Sequence, residues 1–215
     1  MSSEKRAFAP SFGTMLSIVA ISVSGFTLWD GTLKQARVSV FVPAVAQYSA
    51  PYNNSNFEVV AIPVTLVNDG ARTATVLSLG LAVTNAKTGA TKRFYAADFG
   101  RWSMERTRAQ SYQPFAPISL SGKSSRTESV LFYTRGDSEK PDQIIRDIGT
   151  YQFEIVTEVA EASSAQGAWG PAALTAQAPP PLKFERELRV YDARAFNTGT
   201  LPLYDRSFHP PPSGG

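Results

Sequence analysis

The feature that most constrains this chain is an uncharged apolar run close to its first residue. The run covers residues 7–29 and reads AFAPSFGTMLSIVAISVSGFTLW, 23 residues without Asp, Glu, Lys or Arg. A helix needs about 20 residues to cross the hydrocarbon core of a bilayer. The run therefore predicts a transmembrane anchor at residues 7–29, preceded by a short cytoplasmic tail at residues 1–6.

The residues that flank the run suit the two faces of a membrane. Lys5 and Arg6 precede it, and Trp29 ends it where aromatic residues meet the lipid headgroups. Lys34 and Arg37 follow, so positive charge is almost balanced across the run and does not fix the orientation. The short tail and the long chain that follows favour a single-pass protein of the inner (cytoplasmic) membrane with a periplasmic domain.

The same run also fits a secretory signal peptide. Residues 15–21 would form its apolar centre, and Val23-Ser24-Gly25 resembles a small-residue cleavage site. Removal of roughly the first 25 residues would then give a secreted protein. We keep this possibility as the alternative to an anchor.

Small residues recur along the run at a spacing that suits contact between helices. Ala9, Gly13 and Ser17 are four apart, and so are Ala20 and Ser24. Small side chains on one face let a second membrane helix approach closely. These five residues are a predicted helix-packing face, although such spacings also arise by chance in spans rich in Ser, Ala and Gly.

The composition removes most kinds of catalytic and metal site. The chain has no Cys, which excludes thiolate chemistry, and its one His, His209, stands in a Pro-rich tail. We therefore predict no catalytic residues, no cofactor and no metal. The net charge of +3 is small, so nucleic acid is not an expected partner. Charged residues make up only 18% of the chain, which suggests that some surface does not face water.

After the anchor, the apolar pattern changes to the period of two that is typical of β-strands. Pro43 interrupts the first strand and fits an edge or a bulge. The segment NAKTGA at residues 85–90 predicts a hairpin turn. The predicted strands cover residues 36–48, 57–67, 75–84, 91–97, 117–120, 125–134, 151–160 and 183–191.

These strands and turns predict an all-β domain over residues 30–191. Between two of the strands, Asn68-Asp69-Gly70 is a strong turn signal. The surrounding sequence, TLVNDGARTATVLSLGLAV, is similar to the strand, Asn-x-Gly, strand pattern of bacterial immunoglobulin-like domains. The resemblance implies an antiparallel immunoglobulin-like β-sandwich of seven or eight strands, and it implies no function.

Three further segments lack the strand pattern. Residues 140–149, KPDQIIRDIG, have Pro in the first turn, isoleucines at helical spacing and a final Gly, which predicts a short helix. Residues 162–182 are uncharged and rich in Ala and Pro, which predicts a flexible loop. Residues 192–215 show no period, and we interpret them as a Pro-rich tail or a partner-binding arm.

One segment, residues 92–118, combines arginines and aromatics where the strand pattern lapses. Arg, Trp and Tyr dominate protein binding hot spots, because they bury a large area and form directed hydrogen bonds. The segment is therefore a predicted docking surface for an envelope protein or for lipid headgroups, unless its aromatics cap one end of the fold. The candidate partner-binding residues are Arg93, Arg101, Trp102, Arg106, Arg108, Tyr112 and Phe115.

Together these observations predict a non-enzymatic, single-span membrane protein. Its β-domain would act outside the cytoplasm as a subunit or scaffold of a cell-envelope assembly, with the lipid bilayer and one or more proteins as partners. The alternatives are a sensor or carrier of a small ligand or lipid, which would need a pocket, and a secreted protein after signal cleavage.

Overall fold

The computed structural model describes residues 12–51, 57–101, 110–134, 143–161, 179–189 and 200–208. These residues form one helix, a π-helical turn and eleven β-strands. The helix α1 spans Phe12–Leu28 and continues into the turn at Trp29–Leu33. The strands are β1 (Val38–Phe41), β2 (Val45–Ser49), β3 (Val59–Asn68), β4 (Ala74–Asn85), β5 (Thr91–Arg101), β6 (Gln110–Pro114), β7 (Ile118–Leu120), β8 (Ser124–Thr134), β9 (Gly149–Glu161), β10 (Leu182–Leu188) and β11 (Thr200–Tyr204).

Eight of the strands close into an antiparallel β-barrel. Around the ring the order is β5, β8, β3, β2, β11, β10, β9 and β4, and β4 then pairs with β5 to complete the circle. The other three strands lie outside the ring, where β6 pairs with β5, β7 with β4, and β1 with β3. Pro43 separates β1 from β2, which confirms the interruption predicted from the sequence.

The predicted immunoglobulin-like sandwich is wrong, and so is the resemblance to bacterial immunoglobulin-like domains. A sandwich consists of two separate sheets, whereas here Gly80 of β4 pairs with Tyr95 of β5 and Thr84 pairs with Thr91. On the opposite side β11 joins β2 to β10. The strand-turn-strand pattern around Asn68 is real, but it occurs in barrels as well as in sandwiches.

The ring strand that the sequence analysis missed is β11, in the segment interpreted as a tail. Leu201 and Leu203 are buried on either side of Pro202, and the strand pairs with β2 at five positions. Proline has no amide hydrogen and is rare inside strands, so Pro202 obscures the strand signal of β11 in the sequence. The outer strand β6 was missed as well. Of the predicted loop and tail, residues 162–178, 192–199 and 209–215 lie outside the described residues.

The helix predicted at residues 140–149 is wrong for the part that the structure describes. Residues 143–148 form bends and no helix. The backbone amide of Ile144 donates to Glu58 Oε2 at 3.1 Å, and the Tyr151 hydroxyl donates to a carbonyl oxygen of the same segment at 2.7 Å. Barrel side chains therefore take the hydrogen bonds that a helix would make within itself.

Side chains fill the interior of the barrel, as in other barrels of eight strands. Apolar residues from every ring strand form one buried cluster. The largest fully buried side chains include Tyr48, Tyr151, Phe132 and Phe153. The core is therefore a packed solid and not an open channel.

A β-bulge changes which residues of β4 face inward. The sequence pattern predicts Leu77, Leu79, Leu81 and Val83 on one face, and the last three are buried. Leu77 is instead 40% exposed, because the pairing of β4 with β9 shifts its register at this residue.

The helix α1 and the π-helical turn together make a helical stretch of 22 residues, Phe12–Leu33, with a mean hydropathy of 1.6. No residue of α1 is buried. The predicted apolar N-terminal helix is therefore confirmed, and its length and exposure are consistent with a signal sequence or an anchor. Residues 7–11 of the predicted span lie outside the described residues.

Candidate functional site

The first polar cluster lies where the helix meets the barrel, with Asn68 at its centre. Asn68 ends β3 and is 1% exposed. Its side-chain oxygen accepts hydrogen bonds from the backbone amides of Gly70 at 3.0 Å and Arg37 at 3.2 Å. Its side-chain nitrogen donates to the carbonyl oxygens of Arg72 at 2.8 Å, Ser121 at 3.0 Å and Leu120 at 3.3 Å. One side chain therefore joins three segments of the chain.

Direct backbone contacts bind the same segments together. The carbonyl oxygen of Lys34, the residue after the helical stretch, accepts from the amides of Ala71 at 2.9 Å and Arg72 at 3.3 Å. The amide of Lys123 donates to the carbonyl oxygen of Gly70 at 2.8 Å. Residues 34–37, 68–72 and 120–123 are called the helix–barrel junction below.

Two glycines make this contact sterically possible. A Cβ atom on Gly70 would lie 1.9 Å from the carbonyl oxygen of Gln35, and one on Gly122 would lie 2.0 Å from that of Ala71. Both obstacles are backbone atoms, which cannot rotate away. The Asn-Asp-Gly turn therefore does more than connect two strands. Because Gly70 has no side chain, the segment that follows the helical stretch can pack against the barrel.

Asp30 adds an ionic contact between the helical stretch and the barrel. Its carboxylate pairs with Lys34 at 3.6 Å and with Lys123 of the barrel. Lys123 has a φ of 55°, a left-handed conformation that is uncommon for a residue with a side chain. The Lys123 and Asp30 side chains are 48% and 39% exposed, so water screens their attraction.

The second polar cluster lies at the opposite end of the barrel, around Glu58. The carboxylate is fully buried, and its Oε1 atom binds the ammonium group of Lys92, whose side chain is 7% exposed. Oε2 accepts from the Tyr48 hydroxyl at 2.6 Å and from the backbone amide of Ile144 at 3.1 Å. The backbone amide of Glu58 donates to Thr134 Oγ1 at 3.1 Å. These five residues are called the Glu58 cluster.

The contacts of the Glu58 cluster indicate a structural role. Both carboxylate oxygens are occupied by donors from the protein itself. Burial and the charge of Glu58 raise the pKa of Tyr48 well above its ordinary value, so its hydroxyl stays protonated and donates. The cluster holds residues 143–148 against the end of the barrel. Among the described residues, no group of three or more His, Asp or Glu side chains could hold a metal ion.

Arginine side chains fasten the seam between β10 and β11. The two strands share one paired position, Glu187 with Tyr204. Arg186 is 3% exposed and donates across the seam to Asp205 Oδ2 at 2.9 Å and to the carbonyl oxygen of Pro43 at 2.5 Å. Side-chain hydrogen bonds thus supplement a short backbone ladder.

Arg189 extends this fastening to the segment after β11. Hydrogen bonds from the Ser207 hydroxyl and amide, together with the nearby arginines, lower the pKa of Asp205, which keeps its carboxylate charged. Arg189 donates to the carbonyl oxygens of Phe208 at 2.7 Å, Asp205 at 2.9 Å and Arg206 at 3.1 Å. Residues 205–208 are therefore bound to the barrel wall.

A groove of about 360 Å³ lies on the exposed side of β4, β9 and β10. Its volume is near the lower limit for small-molecule sites, which measure about 300 to 1,000 Å³. Because side chains fill the barrel interior, this groove is the candidate place for a small ligand that the described residues offer. The lining residues are Thr84, Gln152, Phe153, Glu154, Lys183, Phe184 and Glu185.

The predicted docking residues are distributed over β5, β6 and their surroundings. Arg93 on β5 and Tyr112 on β6 are exposed. Phe115 follows β6 and packs on Phe99 of the core, with 5.1 Å between the ring centres. The docking role itself stays a prediction. The side chain of Arg101 and the residues Trp102, Arg106 and Arg108 lie outside the described part of the chain.

The predicted membrane residues are described in part. Trp29 begins the π-helical turn and is 53% exposed. The Ser17 hydroxyl donates to the carbonyl oxygen of Gly13 at 2.9 Å, so its polarity is satisfied within the helix. Gly13, Ser17, Ala20 and Ser24 are all exposed on α1. Lys5, Arg6 and Ala9 lie outside the described residues.

The sequence analysis missed Glu58, Lys92 and Arg186, although a signal for them exists. Residues two apart in a strand share a face. Glu58 and Asn68 lie on the same face as the buried apolar residues between them, and Arg186 shares a face with buried Leu188. A polar residue on such a face needs a buried partner. The alternation of buried and exposed residues does not identify that partner, since Glu58 and Lys92 are 34 residues apart.

No protein-family model and no curated protein matches the chain. Among solved structures, one match is the crystal structure of a Bordetella pertussis protein provisionally named ApaA. The two chains are 12% identical, the match covers 81% of this chain and 98% of that chain, and the TM-score is 0.35. A likeness at this level assigns neither fold nor function. The barrel is defined by the strand pairing of this chain alone.

Proposed function

We propose that this chain is a single-span membrane protein that holds a β-barrel at the periplasmic face of the cytoplasmic membrane. It acts there as a non-enzymatic subunit or scaffold of an envelope assembly. The observation that carries the proposal is the helix–barrel junction, where an exposed apolar helix passes directly into a linker bonded to the barrel. A fixed linker suits a scaffold, because a flexible one would let the domain drift away from the membrane.

The junction favours an anchor over a cleaved signal peptide. The candidate cleavage site, Val23-Ser24-Gly25, lies inside α1, and cleavage there would leave residues 26–33 on the barrel. Asp30 in this remnant pairs with Lys123 of the barrel. The remnant would also carry exposed apolar side chains, including Phe26 and Leu28, which a bilayer accommodates better than water.

The surface of the barrel supports a scaffold role more than a carrier role. The interior holds large buried side chains, which leaves little room for a ligand between the strands. Arg93 on the ring strand β5 and Tyr112 on the outer strand β6 are exposed, and they belong to the residue types that protein partners use. Turnover of a substrate by the purified protein, with activity following it through a column, would contradict the non-enzymatic part of the proposal.

The anchor and its orientation can be tested with single cysteines, because the natural chain has none. Lys87→Cys places a thiol on the exposed β4–β5 hairpin, and Ser3→Cys places one before the helix. In intact spheroplasts, a membrane-impermeant maleimide should label the first variant and reach the second only after lysis. The protein should remain in carbonate-washed membranes at full mass. A soluble product shortened by about 25 residues would support cleavage instead.

The docking surface can be tested on its described residues. Arg93→Ala combined with Tyr112→Ala should weaken association with a co-purifying envelope protein by more than about 2 kcal/mol, the level of hot-spot residues. Both side chains are exposed, so the melting temperature should stay the same. Lys87→Ala, on the exposed hairpin, is the matched control. Unchanged association in the double variant would exclude these two residues from the docking surface.

A further inference from the structure

Two arginines of the helix–barrel junction are brought together by a single buried side chain. Arg37 donates its backbone amide to Asn68 Oδ1 at 3.2 Å, and the carbonyl oxygen of Arg72 accepts from Asn68 Nδ2 at 2.8 Å. Asn68 is almost fully buried and fixed by further hydrogen bonds. The backbones that carry the two guanidinium groups are therefore fixed relative to each other.

Within the described part of the protein, neither guanidinium group has a partner. Both side chains are exposed, and neither forms a hydrogen bond or ion pair with a described residue. The other basic residues of the junction, Lys34 and Lys123, pair with Asp30. Asp69 is exposed and forms no ion pair with either arginine. The junction therefore carries two positive charges, on Arg37 and Arg72, that no described acidic side chain neutralises.

The two arginines lie close to the end of the helical stretch. Arg37 is four residues beyond Leu33, so at most about 14 Å of extended chain separates them. The amide of Arg72 bonds to Lys34, the first residue after the stretch. The polar layer on each side of the hydrocarbon core is roughly 5 to 8 Å thick. If the helix spans a bilayer, both arginines therefore lie near the polar layer into which the helix emerges, and their long, flexible side chains can extend toward it.

We propose that Arg37 and Arg72 bind anionic phospholipid headgroups in the leaflet from which the barrel emerges. This inference rests on the proposed membrane anchor. Guanidinium groups match phosphate oxygens in a bidentate geometry, and basic side chains next to a span are attracted to anionic lipid. The positive charge on this side of the helix then holds the barrel down on the bilayer.

The test uses the full-length protein extracted in a neutral detergent. An equimolar mixture of phosphatidylglycerol and phosphatidylcholine is added, and native mass spectrometry counts the lipids that stay bound. The wild type should retain phosphatidylglycerol preferentially. The double variant Arg37→Gln, Arg72→Gln should lose this preference by about fivefold or more, as expected when basic groups near an anionic surface are removed.

Lys87→Gln is the matched control, because it removes one positive charge from the exposed β4–β5 hairpin, near the other end of the barrel. It should bind lipid as the wild type does. An equal loss in this control, or no loss in the double variant, would overturn the inference. Displacement of the lipid by millimolar inorganic phosphate would also overturn it in favour of a free-phosphate site. The proposed function fails separately, if the wild type does not remain in carbonate-washed membranes.

Discussion

The two ends of the barrel are held by different chemistry. At the helix–barrel junction, a neutral Asn68 side chain, backbone hydrogen bonds and two glycines in close contact join the segments. At the other end, a buried carboxylate, an ammonium group and a tyrosine hydroxyl hold residues 143–148 in place. The junction depends on shape, whereas the Glu58 cluster depends on charge.

This difference predicts how each end responds to damage. A buried charge that loses its partner cannot regain hydration without opening the protein, so its loss is costly. A single neutral hydrogen bond contributes less to the free energy of unfolding. Adding a side chain to a closely packed glycine destabilises the protein by an amount that grows with the steric overlap. The Glu58 cluster should therefore be the end more sensitive to mutation. It also contains Tyr48, whose buried hydrogen bond to Glu58 is lost when the hydroxyl deprotonates at alkaline pH.

The largest effect is expected for Lys92→Met. The variant leaves the Glu58 carboxylate buried without its cation, which should lower the free energy of unfolding by about 3 to 5 kcal/mol. Urea unfolding of the full-length protein in detergent, followed by the far-ultraviolet circular dichroism of the β-strands, measures the change. Glu58→Gln added to Lys92→Met removes the stranded charge and should restore part of the stability. A loss below about 1 kcal/mol in the single variant would show that the cluster is already hydrated.

Tyr48→Phe should cost less and should give a pH signature. It removes the hydroxyl that donates to Glu58, at about 1.5 to 3 kcal/mol near pH 7. Because the pKa of Tyr48 is raised in the folded protein, its contribution is fully present below its ordinary pKa of 10.0 and is lost as the pH rises above it.

The stability difference between wild type and Tyr48→Phe should therefore shrink above pH 10. The expected slope is at most about 1.4 kcal/mol for each pH unit, the value for one proton. Urea unfolding of both proteins between pH 7 and pH 11 measures it. A difference that stays constant, or grows, over this range would mean that the Tyr48 pKa is not raised by folding.

Gly70→Ala tests the junction, where charge plays a smaller part. The new methyl group would overlap the Gln35 carbonyl, so the backbone must move, at a cost of roughly 1 to 3 kcal/mol. The freed linker should also be cut faster by trypsin after Lys34 and Arg37. Gly80→Ala is the control, because a Cβ atom there meets nothing within 4 Å. Equal effects of the two substitutions would contradict close packing at Gly70.

The sequence predicted local features of this fold better than distant ones. The turn at Asn68, the break at Pro43 and most strands follow from neighbouring residues, whose backbone preferences act locally. Closure of the barrel depends on β4 pairing with β5 and on β11 pairing with β2. The second of these pairings joins segments about 150 residues apart, which no local pattern records.

The candidate site shows the same limit. The Asn-Asp-Gly sequence predicts a turn, but the five hydrogen bonds of Asn68 reach loops that only the folded chain brings together. The period of two in β4 predicts that Leu77 faces inward. The bulge that turns it outward arises from the pairing of β4 with β9, which the sequence of β4 alone does not show. Polar residues on apolar faces, such as Glu58, are the sequence signal to look for in similar chains.

The smallest effect is expected for Asp30→Asn, which breaks the ion pairs with Lys34 and Lys123 while keeping the side-chain volume. Both partners are exposed to water, so the free energy of unfolding should fall by less than about 1 kcal/mol. The difference from wild type should fade further in 0.5 M salt, since the Debye length is then shorter than at low salt. Trypsin should cut the linker after Arg37 as slowly as in the wild type, because Asn68 and Gly70 still hold it. If Asp30→Asn instead destabilised the protein as much as Gly70→Ala and freed the linker, the helix would be held to the barrel by charge, and the contrast between the two ends would be lost.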